Sequence, residues 1–227
     1  HADHHNGGMC GRFVLFTSGQ DLIDEVAGLD GITTVEAPDG TPPPRYNIAP
    51  TQPVPLVRID GPTAHLNPAR WGLLPTWKKD ETGPPLFNAR GETIAEKPSF
   101  RSAFKSRRGL MVLNGYYEWL QRDGVKQPFY VRPAEGMLYA AALWETGLDK
   151  LSVTMVTTDA TENMAWLHHR LPLFLREDEI RTWVSGSPEE ALALVHPSRV
   201  ADRLTWSEAA QEVGNVRNDY AELISAN

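Results

Sequence analysis

The alternation of apolar and polar positions predicts a strand-rich chain with a few short helices between the strands. Residues 19–29 place Leu22, Ile23, Val26 and Leu29 at helical spacing, which predicts the first helix. Residues 37–44 carry too many prolines for a helix or a central strand and read as a loop. Residues 53–59 read as a strand, assigned to a sheet edge because proline cannot donate to a ladder. Residues 71–77 are rich in aromatics and breakers; Trp71 reads as core, Trp77 as a surface on which an unstacked base could rest. Phe87-Asn88-Ala89-Arg90-Gly91-Glu92-Thr93 is polar and loop-like.

A basic amphipathic helix is predicted over residues 97–108, with Lys97, Arg101, Lys105, Arg107 and Arg108 around Phe100 and Phe104. Residues 109–113 form a short buried strand. Residues 115–120 and 125–132 then pair as a hairpin across Asp123-Gly124, a type I′ signal. This puts Glu118 on a strand among aromatics. Residues 137–144 and 151–157 are two further apolar strands, and residues 161–167 a short helix that delivers His168-His169. Adjacent histidines are expected to project apart, one into a site and one away, which argues against a shared metal. Ser187-Pro188-Glu189-Glu190 is a strong helix start, with Leu192, Leu194 and Val195 as its packing residues. Val213-Gly214-Asn215-Val216-Arg217-Asn218 is irregular and polar, with no evident chemistry. No repeat, linker or domain boundary interrupts the pattern.

Composition narrows the class. The 227 residues are 41% hydrophobic and 22% charged, within the range of one soluble domain with a sizeable core. No apolar run approaches the ~18 residues of a membrane span. A net charge of −7 argues against nucleic-acid binding by the whole surface, so any such contact must come from a local basic patch. The single cysteine excludes an intramolecular disulfide framework and fits a reducing, cytoplasmic compartment. Residues 1–8 read as an expression-tag remnant and Met9 as the native initiator, leaving residues 9–227 as the domain.

That cysteine carries the candidate chemistry. Cys10 follows Met9 directly, and removal of the methionine would leave a 1,2-aminothiol. Its amine condenses with an aldehyde to an imine, and its sulfur then closes a thiazolidine ring. Unperturbed pKa values of about 7.7–8.0 and about 8.5 put both nucleophiles near working range. The plainer reading of a lone cysteine is a small, inert core residue.

Met9-Cys10-Gly11-Arg12, Arg45-Tyr46-Asn47-Ile48-Ala49-Pro50, Asn88-Ala89-Arg90, Gly115-Tyr116-Tyr117-Glu118-Trp119, His168-His169-Arg170-Leu171-Pro172 and Val213-Gly214-Asn215-Val216 occur in one order. Together they resemble the SOS response-associated peptidase family, whose members process abasic sites and crosslink to damaged single-stranded DNA. The resemblance implies an α+β fold: one domain, with a curved, mostly antiparallel sheet closing toward a barrel and helices around it. It implies Cys10 as the crosslinking nucleophile, with Asn88, Glu118 and His168 as the other active-site residues. Arg12, Arg90 and Arg170 are expected at DNA phosphates, and Trp77 and Pro50 along the strand's path. No metal or cofactor is expected, and the protein is expected to act as a monomer. The chain departs from the family pattern at His169, often acidic, and at Lys78, often a second aromatic.

Chemistry suits these assignments. The unperturbed pKa of a histidine lies near working pH, which suits His168 to moving a proton at the sugar ring oxygen. Asn88 offers donors and an acceptor to a sugar oxygen. Glu118 among aromatics can hold or take a proton. Arginines pair with phosphates in bidentate fashion. Two alternatives stand beside this reading. One is an amidohydrolase with an N-terminal nucleophile, such as a glutaminase; the other is a noncovalent single-strand binding module.

Overall fold

Alternating β-branched and aromatic positions, punctuated by glycine turns, commit neighbouring segments to pair. A computed structural model of the chain describes residues 10–225. In order these form β1 (Phe13–Leu15), α1 (Gly19–Ala27), β2 (Thr34–Glu36), β3 (Arg45–Ile48), β4 (Pro53–Asp60), β5 (Thr63–Trp71) and β6 (Asn88–Arg90). Next come α2 (Arg101–Ser106), β7 (Arg108–Leu113), β8 (Gly115–Arg122), β9 (Val125–Pro133), β10 (Leu138–Gly147) and β11 (Lys150–Asp159). The chain continues with β12 (Arg170–Pro172), α3 (Glu177–Ser185), α4 (Pro188–Leu192) and β13 (Leu204–Glu208), then ends in short 3₁₀ turns.

One sheet runs β13-β9-β8-β1-β3 and is antiparallel throughout. The other runs β12-β11-β10-β7-β4-β5-β2. Its strand β5 returns to pair with β11 in parallel, Arg70 beside Ser152 and Trp71 beside Val153. That return joins β4, β5, β11, β10 and β7 into a closed ring, which removes free edges from the middle of the fold. The α+β class and the mostly antiparallel, barrel-closing sheet are as the resemblance implied. Trp183 of α3 anchors a helix to the ring by donating to Gly109 O at 3.0 Å.

The hairpin between β8 and β9 turns at Asp123 and Gly124, whose φ angles of 50° and 78° are those of a type I′ turn. Other elements differ from expectation. β4 lies between β5 and β7 rather than at an edge. It pairs with β7 only at Leu56 and Val57, so Pro53 and Pro55 face β5 alone and no needed donor is lost. The basic helix shrinks to α2, because Arg108 already belongs to β7, opposite Leu143. Its guanidinium donates to Trp183 O and Gly186 O, both at 2.7 Å, while Arg107 pairs with Glu145. Two of the five expected patch cations are thus spent on protein acceptors. Residues 161–167 form successive turns rather than a helix, with Thr161 O accepting from Met164 N and Ala165 N. In α4 the buried residue is Ala191, and Leu192 is exposed.

Candidate active site

Cys10 stands three residues ahead of Phe13, the residue of β1 that pairs with Tyr116 of β8. Its side chain is fully buried, with Sγ 3.8 Å from Arg12 O. Gly115 opens β8 because nothing larger fits: a Cβ there would lie 2.5 Å from Val131 O. From that point side chains alternate. Tyr116 and Glu118 face one side of the sheet, Tyr117 and Trp119 the other.

Cys10, Tyr116 and Glu118 form one buried cluster of titratable groups. Burial pushes the Cys10 thiol well up, and the charge of Glu118 pushes it further, against a smaller pull from a backbone hydrogen bond at Arg12. Burial likewise raises the Glu118 carboxyl well above the usual range, opposed by a backbone hydrogen bond from Trp119. Tyr116 is raised by burial, then by Glu118 and Cys10. The common cause is low polarisability around groups that ionise to anions, which favours their protonated forms. Glu118 Oε1 and the Tyr116 hydroxyl find no hydrogen-bond partner among the described residues. Such orphans are rare in native interiors and call for an account.

The segment carrying His168 crosses this same face. Trp166 stands edge-on to Phe129 at 5.2 Å, and Phe129 is the cross-strand partner of Glu118. Phe174 packs on Tyr116 at 5.8 Å. His168 lies between these two anchors, half-buried. Its Nδ1 accepts from Arg170 N at 3.0 Å and also lies 3.3 Å from Arg170 O. The two histidines do not project apart as expected: their rings stack 4.4 Å apart, 25° from parallel.

Asn88 opens β6, in register with Met155 on the edge of β11 that continues from β5. Its neighbour Phe87 meets Trp71 edge-on at 5.8 Å, and Trp71 meets Phe13 at 4.9 Å. This aromatic chain ties β6 back to β1, the strand that follows Cys10. Asn88 Oδ1 and Nδ2 are both buried without a partner among the described residues.

The expected DNA contacts divide. Arg90 and Trp77 are exposed, Trp77 by 62%, and Pro50 is half-buried in the turn before β4. Arg170, expected at a phosphate, is instead buried and fully engaged at its terminal nitrogens. They donate to Glu92 at 2.7 Å twice, to Asp159 at 2.9 Å, and to the carbonyl and hydroxyl of Thr157 at 3.0 Å. Its position in β12 against β11 requires a buried cation to be paired, which consumes the fork that a phosphate would need. Arg12 lies on the sheet face away from Glu118, donating to Val213 O at 2.6 Å and Asn47 Oδ1 at 3.3 Å, with Trp119 beneath it. Asn47 in turn donates to the carbonyls of Val213, Asn215 and Asn218. The polar segment after residue 212, which showed no chemistry in the sequence, is thus the acceptor for a latch from β1 and β3. Tyr116 was missed as a site residue, although the strand period alone puts it on the Glu118 face.

Among the described residues no group of three or more His, Cys, Asp or Glu is placed to hold a metal. No helix there is long and apolar enough to cross a membrane. The readings made for residues 1–8 and Met9 lie outside the described residues.

Residues 9–216 match the family described as SOS response associated peptidase (SRAP). The chain is 34% identical to the abasic site processing protein YoaM of Bacillus subtilis, covering 96% of this chain and 98% of that one. It is 33% identical to the abasic site processing protein YedK of Escherichia coli, covering 95% and 99%. It is 30% identical to the abasic site processing protein HMCES of Gallus gallus, covering 95% and 77%. A crystal structure of a protein from Bacteroides thetaiotaomicron shares the fold, with a TM-score of 0.76 at 20% identity over 89% of this chain and 93% of that one.

Proposed function

The chain belongs to the SOS response associated peptidase family, and on that premise we propose that it processes abasic sites in single-stranded DNA, with Cys10 capturing the damaged sugar covalently. An abasic deoxyribose presents an aldehyde in its ring-opened form. The α-amine of Cys10, freed by loss of Met9, adds to that carbonyl to give a carbinolamine. Loss of water gives the imine. The sulfur then adds to the imine carbon and its proton passes to nitrogen, so aminothiol plus aldehyde become thiazolidine plus one water.

Each neighbouring group has work in this sequence. Glu118, biased toward its protonated form, can donate to the departing hydroxyl and recover a proton from the nitrogen as the imine forms. Tyr116 can hold an oxygen of the sugar with its unengaged hydroxyl. Asn88 offers an unengaged donor and acceptor for the same sugar. His168 assists ring opening by moving the proton at the ring oxygen. Arg90, Trp77 and Pro50 guide the strand: the arginine at a phosphate, the indole under a base. An abasic nucleotide has no base to unstack, so drawing it into a pocket costs less than flipping an intact one.

The observation that carries the reading is the buried Cys10–Tyr116–Glu118 cluster, in which the Tyr116 hydroxyl and Glu118 Oε1 have no hydrogen-bond partner among the described residues. The test is incubation with single-stranded DNA bearing one abasic site, followed by a denaturing gel. A covalent species stable to heat is expected, absent for Cys10→Ala. Full crosslinking by that variant would refute the assignment, and ammonia release from glutamine without crosslinking would favour the amidohydrolase instead.

A further inference from the structure

Across β8, β9 and β13, the residues that share the Glu118 face follow from register. Tyr116 pairs with Val131 and Glu118 with Phe129; Val131 pairs in turn with Trp206, and Phe129 with Glu208. Directly paired residues of antiparallel strands point to the same side. Trp206 therefore stands on the Glu118 side of the sheet, two strands outward. Trp166, two residues before His168, bridges the gap: its ring meets Phe129 at 5.2 Å and Trp206 at 5.3 Å. Both indoles remain open to solvent, Trp166 at 39% and Trp206 at 41%.

We propose that Trp166 and Trp206 form a shelf that stacks the base flanking the abasic nucleotide in a bound single strand. The proposal rests on the processing function above and adds a specificity element to it. Three observations commit the shelf to that occupant. It is continuous with the candidate site, since one of its rings touches the cross-strand partner of Glu118 and belongs to the segment that holds His168. It consists of two partly exposed indoles, the kind of ring on which any base can lie irrespective of sequence. Glu208, the acid on the same face beside the shelf, is approached by Arg122 at 3.9 Å, which offsets its repulsion of a phosphate chain. The shelf is separate from Trp77, which belongs to the loop between β5 and β6.

A strand held only at its abasic sugar would have no preference for a base beside the lesion. The shelf supplies one, on one side of the lesion and not the other, because the indoles lie only on the β9–β13 side of Glu118. The experiment compares oligonucleotides whose lesion is flanked on either side by a normal nucleotide or by a baseless spacer. Binding is read by fluorescence anisotropy with the protein in its unreacted Cys10→Ala form. Replacing one flanking base by the spacer is expected to weaken binding roughly tenfold, the stacking worth of one base. Trp166→Ala is expected to weaken binding to the base-flanked strand by a similar factor and to erase the difference between base and spacer. Trp166→Phe, which keeps a ring against Phe129, is expected to restore part of that difference, separating stacking from loss of fold. A base-to-spacer penalty of equal size in the Trp166→Ala protein would overturn the shelf while leaving abasic-site capture intact. Covalent capture is scored separately with the cysteine present, and its absence there would instead bring down the processing function.

Discussion

Two polar groups of side chains in this fold, one around the buried Arg170 and one around the buried Cys10, are built on opposite terms. Around Arg170 the terminal nitrogens of the guanidinium meet Glu92, Asp159 and Thr157, and only Nε lacks a partner among the described residues. Around Cys10 the thiol, the Tyr116 hydroxyl and the Glu118 carboxyl share one space, with Glu118 Oε1 and the tyrosine oxygen unengaged among the described residues. The first group is complete at its terminal nitrogens and holds β12 to β11 and to the loop after β6. The second is incomplete, and an interior tolerates unmet polar atoms where something else must bind. Proton affinities follow the same division. The Arg170 hydrogen bond lowers the pKa of Glu92, whereas burial raises that of Glu118.

The contrast breaks most visibly at Arg170. Arg170→Met strands Thr157 and leaves Glu92 and Asp159 facing each other, which should cost about 3 kcal/mol, the lower end for a broken buried pair because both carboxylates reach solvent. Urea denaturation would read that loss. Cys10→Ala, by comparison, should change stability by only about 1 kcal/mol. A result in which Cys10→Ala is the more damaging to the fold would erase the distinction between holding and reacting.

Gly115→Ala comes next. Its methyl would meet Val131 O at 2.5 Å and the Tyr130 ring at 2.6 Å, forcing β8 away from β9. We expect a loss of about 2 kcal/mol from overpacking, with crosslinking reduced as well because Tyr116 and Glu118 ride on the displaced strand. Normal stability in thermal melts would show that the sheet yields there.

A subtler effect separates the two groups by pH. Because Glu118 is protonated more readily folded than unfolded, its influence favours the folded state at acidic pH. That support is lost as pH rises from the ordinary carboxyl value through its raised one. Glu92 has the opposite sign: its pairing stabilises above the ordinary value and is lost as pH falls through its lowered one. Glu118→Gln should therefore match the parent at low pH and gain stability over it as pH rises, while crosslink formation or reversal slows. Denaturation curves across pH would check the first part. A constant offset between the two proteins would mean that the carboxyl is not perturbed. The smallest stability effect belongs to Trp77→Ala, within about 0.5 kcal/mol for so exposed a residue, although affinity for single-stranded DNA should fall several-fold.

Strand positions were legible in the sequence wherever period and turn chemistry agreed, as in the β8–β9 hairpin with Asp123-Gly124. Legibility ended where tertiary pairing decided. Nothing local says that β5 will return to β11, that Pro53 and Pro55 can lie inside a sheet because β7 stops short of them, or that Arg108 will leave a basic helix for a ladder opposite Leu143. The same limit governed the site. Cys10 and Glu118 could be picked out by position and by aromatic surroundings, but the pairing of Arg170 with Glu92 joins residues 78 apart and reads in sequence only as a free cation. Trp166 and Trp206 carried no local signal, since their meeting depends on register across β8, β9 and β13.

The central claim is that the incomplete group, not the complete one, performs the chemistry. Mass spectrometry of peptides from protein reacted with abasic single-stranded DNA tests it most directly. The account predicts one adduct, on the peptide beginning at Cys10, with the combined mass of peptide and sugar fragment less one water. An adduct on a lysine, or on Cys10 with Met9 still attached, would contradict it.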